Sequence, residues 1–166
     1  MEQRTNKNNY QSSGETSHFL VFSLNQESFA LPVENTIRVL QAIEIKQLPS
    51  APEIIAGVIH VNNQIIPVID LRKRFLLPER EIAASDHLVI ADTGKRIVAL
   101  WVDSVNNIQA IAPQNLFSAK KSLPFAKYIR GIAKTEDGLV IIYDLEQFLS
   151  LDEENQLDEV IAKTDK

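Results

Sequence analysis

Three histidines, His18, His60 and His87, are the first residues to test for chemistry. None forms a His-x-His or His-x-x-x-His pair, and no carboxylate is spaced to complete a metal motif, so no metal site is expected. The chain has no cysteine, which excludes disulfides, thiolate zinc sites, iron–sulfur clusters and cysteine nucleophiles. Ser104 follows Asp103 in Val102-Asp103-Ser104-Val105, but it has neither a Gly-x-Ser-x-Gly turn nor a neighbouring histidine. Asp70 and Asp144 tempt a paired-carboxylate reading. Each precedes Leu-x-x-x-Phe or Leu-x-x-Phe, the N-cap position of a short helix, and capping at about 0.5–2 kcal/mol accounts for both. Arg72-Lys73-Arg74 is a basic triplet offset by Glu79 and Glu81, and it reads as a solvated face rather than an anion site. The five glycines are scattered, no two closer than seven residues, which excludes a phosphate cradle. No catalytic residue and no cofactor is expected.

Composition narrows the partners further. A formal net charge of −5 argues against nucleic acid, which selects for a basic face. The N-terminus has no apolar h-region, and the longest apolar runs, such as Ile54 to Ile59, are far too short for membrane insertion. Residues 1–17 are almost wholly polar and are expected to form a disordered tail. Residues 151–166 are acidic, with Leu157, Val160 and Ile161 at helical spacing, which predicts a short docked C-terminal helix. The default location is cytoplasmic.

Between the tails the pattern is of short β segments with turn signals between them. Phe19 to Leu24 and Ser28 to Val33 flank a turn at Asn25-Gln26-Glu27. Glu34 to Leu40 is expected to make one or two helical turns. Gly57 to Val61 and Gln64 to Ile69 flank Asn62-Asn63, a pair suited to a two-residue hairpin because asparagine tolerates φ > 0. Pro67 should mark a strand edge or a bulge, since proline cannot donate to the ladder. Further strands are expected at His87 to Ala91, Arg96 to Val102, Ile108 to Ala112, Tyr128 to Thr135 and Leu139 to Tyr143. Trp101 reads as core or subdomain-interface packing.

An internal repeat organises these segments. At an offset of 69, Phe19-Leu20-Val21 falls on Leu88-Val89-Ile90, and Ala30 to Glu34 falls on Ala99 to Asp103. At an offset of 74, Gly57-Val58-Ile59 falls on Gly131-Ile132-Ala133, and Val68-Ile69-Asp70-Leu71 falls on Ile142-Tyr143-Asp144-Leu145. The order of features is the same in both copies, about 19–76 and 88–149. A copy of this size is marginal as an independent domain, so two are expected to pack together. Strands are free to exchange between the copies, which the pattern leaves open.

Five motifs in order resemble the CheW-like domain family over about residues 18–150. They are Phe19 to Val33; Gly57-Val58-Ile59-His60-Val61-Asn62-Asn63-Gln64-Ile65-Ile66-Pro67-Val68-Ile69-Asp70-Leu71-Arg72; Val102 to Ile108; Tyr128 to Ile132; and Asp144-Leu145-Glu146. The resemblance implies an all-β fold of two small SH3-like five-stranded barrels with short helices and a C-terminal helix, and no enzymatic activity. It implies a cytoplasmic adaptor, monomeric alone and recruited to membrane receptor arrays. Its partners are then the CheW-like regulatory domain of the histidine kinase CheA and the cytoplasmic tip of methyl-accepting chemoreceptors. Carried over by position, Thr36, Arg38, Val39, Gly57 and Asn62 lie where the family meets its kinase and receptor partners. His87, Val105 and Ile108 lie where an apolar receptor groove is expected; ordinary core packing remains open for Val39, Val105 and Ile108. With no receiver domain after the barrels, a stand-alone coupler is expected rather than the related CheV type. The chain departs from the family where Asn62-Asn63 replaces Arg-Gly, removing a long forked cation. Other readings remain a small-molecule binding module on the same scaffold, a hydrolase, or a coupler for a pilus or other non-flagellar pathway.

Overall fold

The computed structural model describes residues 16–118 and 126–164. The polar tail expected over 1–17 therefore falls, up to residue 15, outside the described residues. Eleven strands are present among them: β1 (Ser17–Leu24), β2 (Glu27–Pro32), β3 (Thr36–Gln41), β4 (Ile55–Val61), β5 (Gln64–Asp70), β6 (His87–Asp92), β7 (Ile97–Val102), β8 (Ser104–Ile111), β9 (Leu116–Ser118), β10 (Ile129–Thr135) and β11 (Gly138–Tyr143). Two α-helices join them, α1 (Leu71–Arg74) and α2 (Leu151–Thr164). The fold is all-β, two SH3-like barrels packed together.

Two sheets form these barrels. The first runs β8-β1-β2-β11-β10-β9 and the second runs β3-β6-β7-β5-β4. Set beside the repeat, the two orders are the same, with β9 added as a sixth strand to the first. Each sheet takes its leading hairpin from one copy and its remaining strands from the other. Hairpin β1–β2 sits among β8, β10 and β11, and hairpin β6–β7 sits among β3, β4 and β5. The seams are the two parallel pairings, β2 with β11 and β5 with β7.

This arrangement explains why several strands are apolar on consecutive residues rather than alternately. On β1, Phe19 and Val21 fill the interior of the first barrel, while Leu20, Phe22 and Leu24 face a core shared by both sheets. On β6, Leu88 and Ile90 fill the second barrel, while Val89 and Ala91 face the shared core. A strand buried on both faces needs both parities apolar. The shared core is closed by an aromatic stack: Tyr143 of the first sheet lies 4.9 Å from Phe29 and 4.2 Å from Phe75, with Phe148 edge-on to Phe75 at 5.7 Å. Helix α2 docks on the same core through Leu157 and Val160. Arg96 holds its flank through Glu154 at 2.6 Å and through Asp158. Among the described residues, no helix is long and apolar enough to cross a membrane.

Local differences from the expected elements have physical reasons. Only Val33–Asn35 makes a helical turn, and Thr36 onward is strand β3. The β-branched Thr36, Ile37 and Val39 favour extended backbone, and pairing with β6 settles it. Asp70 caps α1 by accepting from the Arg72 and Lys73 N–H groups. Asp144 precedes the turn Leu145–Gln147 but makes no side-chain cap; its Oδ1 lies 3.6 Å from Arg130 Nη2 instead. Pro67 lies in an interior strand, opposite Val58. Val58 directs both its N–H and its C=O to Lys46, so Pro67 interrupts no rung between β4 and β5.

The matched glycines obey one rule in both copies. Hairpin Asn62-Asn63 turns with φ of 51° and 65°. At Gly57, with φ of 154°, an added Cβ would lie 2.3 Å from the Lys46 carbonyl oxygen; at Gly131 it would lie 2.6 Å from that of Phe117. In each case the carbonyl belongs to the segment that closes the sheet edge. Gly57→Ala is therefore expected to lower stability by about 2–3 kcal/mol in urea unfolding, because backbone rather than a flexible side chain must yield.

Candidate functional site

The chain passes from one sheet to the other at two equivalent points, between β2 and β3 and between β7 and β8. Most of the residues expected to meet partners lie on β3, β6 and β8, the strands next to these crossings in the sheets. Strand β3 is an edge of the second sheet and β8 is an edge of the first. Cross-strand partners in an antiparallel pair share a face, so the register tells which way each side chain points. Val39 stands opposite Val89, Val105 opposite Phe22, and Ile108 opposite Leu20. All three partners belong to the shared core. Val39 and Ile108 are thus turned toward the inter-sheet side but lie beyond its buried part, 38% and 59% exposed. Val105 is half-buried and packs on the shared core.

His87 joins this group, since it stands opposite Gln41 on β3 and opposite Val102, a shared-core residue, on β7. Its Nδ1 is buried and has no hydrogen-bond partner. Thr36 faces Ala91 on the same side, with its hydroxyl donating to the Val33 carbonyl at 2.9 Å. The other three residues point elsewhere. Arg38 stands opposite Ile90, a residue of the second barrel's own interior, and is exposed. Gly57 lies on β4, the other edge of that sheet, and Asn62 at the exposed tip of its hairpin. Thr36, Val39 and His87 on the second sheet and Val105 and Ile108 on the first thus all face the inter-sheet side, whereas Gly57 and Asn62 lie at the opposite edge of the second sheet.

The crossing after β7 is held by charge. Asp103 accepts from Arg72 Nη2 at 2.6 Å, from Arg80 Nη2 at 2.7 Å and from the Asn25 N–H at 2.9 Å. Arg80 also forks onto Asp86, with both contacts at 2.8 Å, and the chain's single tryptophan, Trp101, donates its indole N–H to Asp86 at 2.9 Å. Burial pushes the Asp86 carboxyl up, but the Arg80 fork, the Ala83 N–H and the Trp101 indole outweigh it and hold the pKa at about 2, against 3.8. The basic triplet is therefore no solvated face: Arg72 is buried against Asp103, and Arg74 pairs with Glu153 at 2.6 Å and donates to the Tyr128 hydroxyl at 2.8 Å. Nothing in a run of three cations distinguishes paired from solvated. The useful signal was that Asp-Leu-Arg and Val-Asp each carry one half of an ion pair. Ser104 shares its hydroxyl with Asn106 at 3.3 Å, and among the described residues no metal-binding cluster is present.

A second surface that the sequence did not single out lies across the outer strands of each sheet. Ile43, Val58 and Ile65 line an apolar cleft of about 560 Å³ on the second sheet. On the first sheet, Phe117 and Leu139 are 51% and 68% exposed, with Ile132 paired to Phe117. The repeat relates these faces, Val58 matching Ile132 and Ile65 matching Leu139 at the offset of 74.

The model of the CheW-like domain matches residues 18–153 of the chain. The chain is 24% identical over 152 residues to chemotaxis protein CheW of Klebsiella aerogenes, covering 89% of this chain and 92% of that protein. It is 29% identical over 127 residues to chemotaxis protein CheW of Bacillus subtilis, covering 75% and 81%. The crystal structure of the scaffolding protein TtCheW from Thermoanaerobacter tengcongensis superposes with a TM-score of 0.77 at 28% identity, covering 83% of this chain and 95% of that one.

The Asp86 carboxyl makes acid stability measurable. Its folded pKa is depressed, so its contribution is present above the unfolded value of 3.8 and is lost as pH falls toward about 2. Unfolding followed by Trp101 fluorescence is expected to lose about 2 kcal/mol over that interval, and Asp86→Asn is expected to abolish most of that slope while lowering stability at pH 7.

Proposed function

The chain belongs to the CheW-like domain family, and from that premise we propose that it is a non-enzymatic cytoplasmic adaptor coupling chemoreceptors to the histidine kinase CheA. What supports this reading is that Val39, Val105 and Ile108, on edge strands of two different sheets, all face the inter-sheet side and stay exposed or half-buried rather than sealed in the core. A helical hairpin tip of a receptor presents an apolar stripe on a polar body, and an apolar trough with a polar rim is the surface that takes it. Thr36, His87 and Gln41 supply the polar edge beside it.

The outer apolar faces support the second half of the reading. The regulatory domain of the kinase is itself a CheW-like domain by resemblance, so barrel-to-barrel pairing needs matched faces on both. The faces around Ile65 and Leu139 are equivalent through the repeat, and either can meet its counterpart on another barrel pair. Asn62 lies at the tip of the hairpin that borders the first of them. There the chain keeps the turn geometry and lacks the forked cation of its relatives, so its kinase contact rests on apolar packing rather than on charge.

Calorimetric titration of the chain with a receptor cytoplasmic fragment tests the groove. Val39→Glu and Ile108→Glu are expected to weaken binding at least about tenfold with unchanged circular dichroism. Unchanged affinity, or loss of fold in both variants, sinks the groove assignment. Asn62→Arg is expected to leave receptor affinity unchanged and to alter only binding to the kinase's regulatory domain; a change in receptor affinity contradicts the division into two surfaces.

A further inference from the structure

Helix α2 does more than close the shared core, because it reaches the segment that lines the apolar cleft on the second sheet. That cleft is lined by Gln47, Leu48 and Pro49 from the chain before β4 and by Ile59, His60 and Ile65 from hairpin β4–β5. The first of these linings runs straight into a turn over residues 48–51, closed by the Ala51 N–H on the Leu48 carbonyl at 3.2 Å. Pro49 stands second in this turn and Ser50 third, with φ of 68°. Proline suits the second place, but a positive φ at the third belongs to glycine or asparagine, and a serine there is strained. Ser50 is exposed, so burial of its side chain does not offset the strain. Its carbonyl instead accepts from Gln156 Nε2 of α2 at 2.8 Å, 106 residues along the chain. The helix that carries Gln156 is itself fixed, by Leu157 in the shared core and by Arg74 and Arg96 on Glu153 and Glu154, each at 2.6 Å.

We propose that Gln156 is a positioning residue for this cleft: its bond to the Ser50 carbonyl holds the turn at 48–51 in its left-handed form and so sets how Pro49 lines the cleft opposite hairpin β4–β5. Without that amide the turn is free to take the form with negative φ at its third residue, which serine prefers and which turns over the Pro49–Ser50 peptide. Leu48 is anchored in the shared core, and the hairpin is held by its pairing along β4–β5 and β5–β7. The change therefore falls on Pro49 and its peptide at the edge of the cleft. A helix at the end of the chain thereby controls the shape of an apolar face formed near its beginning. The consequence for binding rests on the reading of that face as the kinase contact; the positioning itself does not.

The test is NMR of the 166-residue chain together with calorimetric titration against the kinase's regulatory domain. Wild type is expected to show a strong Overhauser effect from the Pro49 Hα to the Ser50 N–H, the mark of the left-handed turn. Gln156 is exposed on a helix, where alanine is well accepted, so Gln156→Ala is expected to keep the thermal midpoint. It is expected to weaken that Overhauser effect, to shift the Ile43 and Ile65 methyl signals, and to lower kinase affinity about threefold with receptor affinity unchanged. Adding Ser50→Gly, which accepts the left-handed form without strain, is expected to restore all three, a rescue that loss of a merely stabilising contact does not show. An unmoved Overhauser effect or methyl spectrum in Gln156→Ala, or no rescue by Ser50→Gly, overturns the proposal. Ile65→Glu separates it from the reading it builds on. Unchanged kinase affinity in Ile65→Glu contradicts the kinase contact and leaves the turn and methyl signals to decide the positioning role; affinity lowered by Ile65→Glu but not by Gln156→Ala overturns the positioning role itself.

Discussion

One carboxylate holds the crossing on which the architecture turns. Asp103 stands where β7 of the second sheet ends and β8 of the first begins, and it accepts from Arg72, Arg80 and the Asn25 N–H. Its own N–H donates to the Ser23 carbonyl at 3.0 Å. These partners come from the tip of hairpin β1–β2, from α1 and from the segment before β6, so one group ties both sheets to the chain that passes between them. The equivalent residue at the other crossing, Glu34, is exposed. An ion pair with one buried member contributes little net stability, because desolvation offsets much of the attraction, but removing Asp103 leaves the buried Arg72 guanidinium without its carboxylate. Its effect is to fix where β8 leaves the second sheet, and with it where Val105 and Ile108 stand.

Strand exchange gives this crossing its functional weight. If each copy of the repeat folded on itself, the two barrels would meet only at their surfaces and the groove between them would open and close with every relative motion. Hairpins β1–β2 and β6–β7 are instead built into the opposite sheet, and the core of Phe22, Phe29, Phe75, Tyr143 and Phe148 belongs to both. The edge strands that carry Val39, Val105 and Ile108 therefore belong to two sheets that cannot separate without breaking parallel strand pairs. A rigid surface suits a scaffold, whose partners are held in fixed relation rather than transformed.

Local features were legible in the residues where a single physical requirement acts. Asn62-Asn63 declares a hairpin because few other residues accept its backbone, and Gly57 and Gly131 declare a close approach because any Cβ would strike a carbonyl. The cap at Asp70 follows for the same reason. What was hidden depends on partners far away in the chain. The strand Phe19 to Leu24 has the same pattern whichever copy it joins, so exchange leaves no local trace. Arg72 and Lys73 are both cations on the same short helix, and only the position of Asp103 makes one of them buried. Asp144 looks like Asp70 in its motif, but Arg130 competes for its carboxylate. The candidate site was half legible for a related reason: motif position assigned its residues to strands, while the side to which Val39 and Arg38 point depends on a bulge between Thr36 and Arg38 that shifts the register.

The most direct measurement is co-sedimentation of the histidine kinase with receptor-containing membranes, made with and without the chain at matched concentrations. An adaptor with one receptor groove and a separate kinase surface brings kinase into the pellet only when the chain is present, with all three components retained together. Kinase that pellets equally without the chain, or kinase and receptor that displace one another from it, contradicts a bridging role.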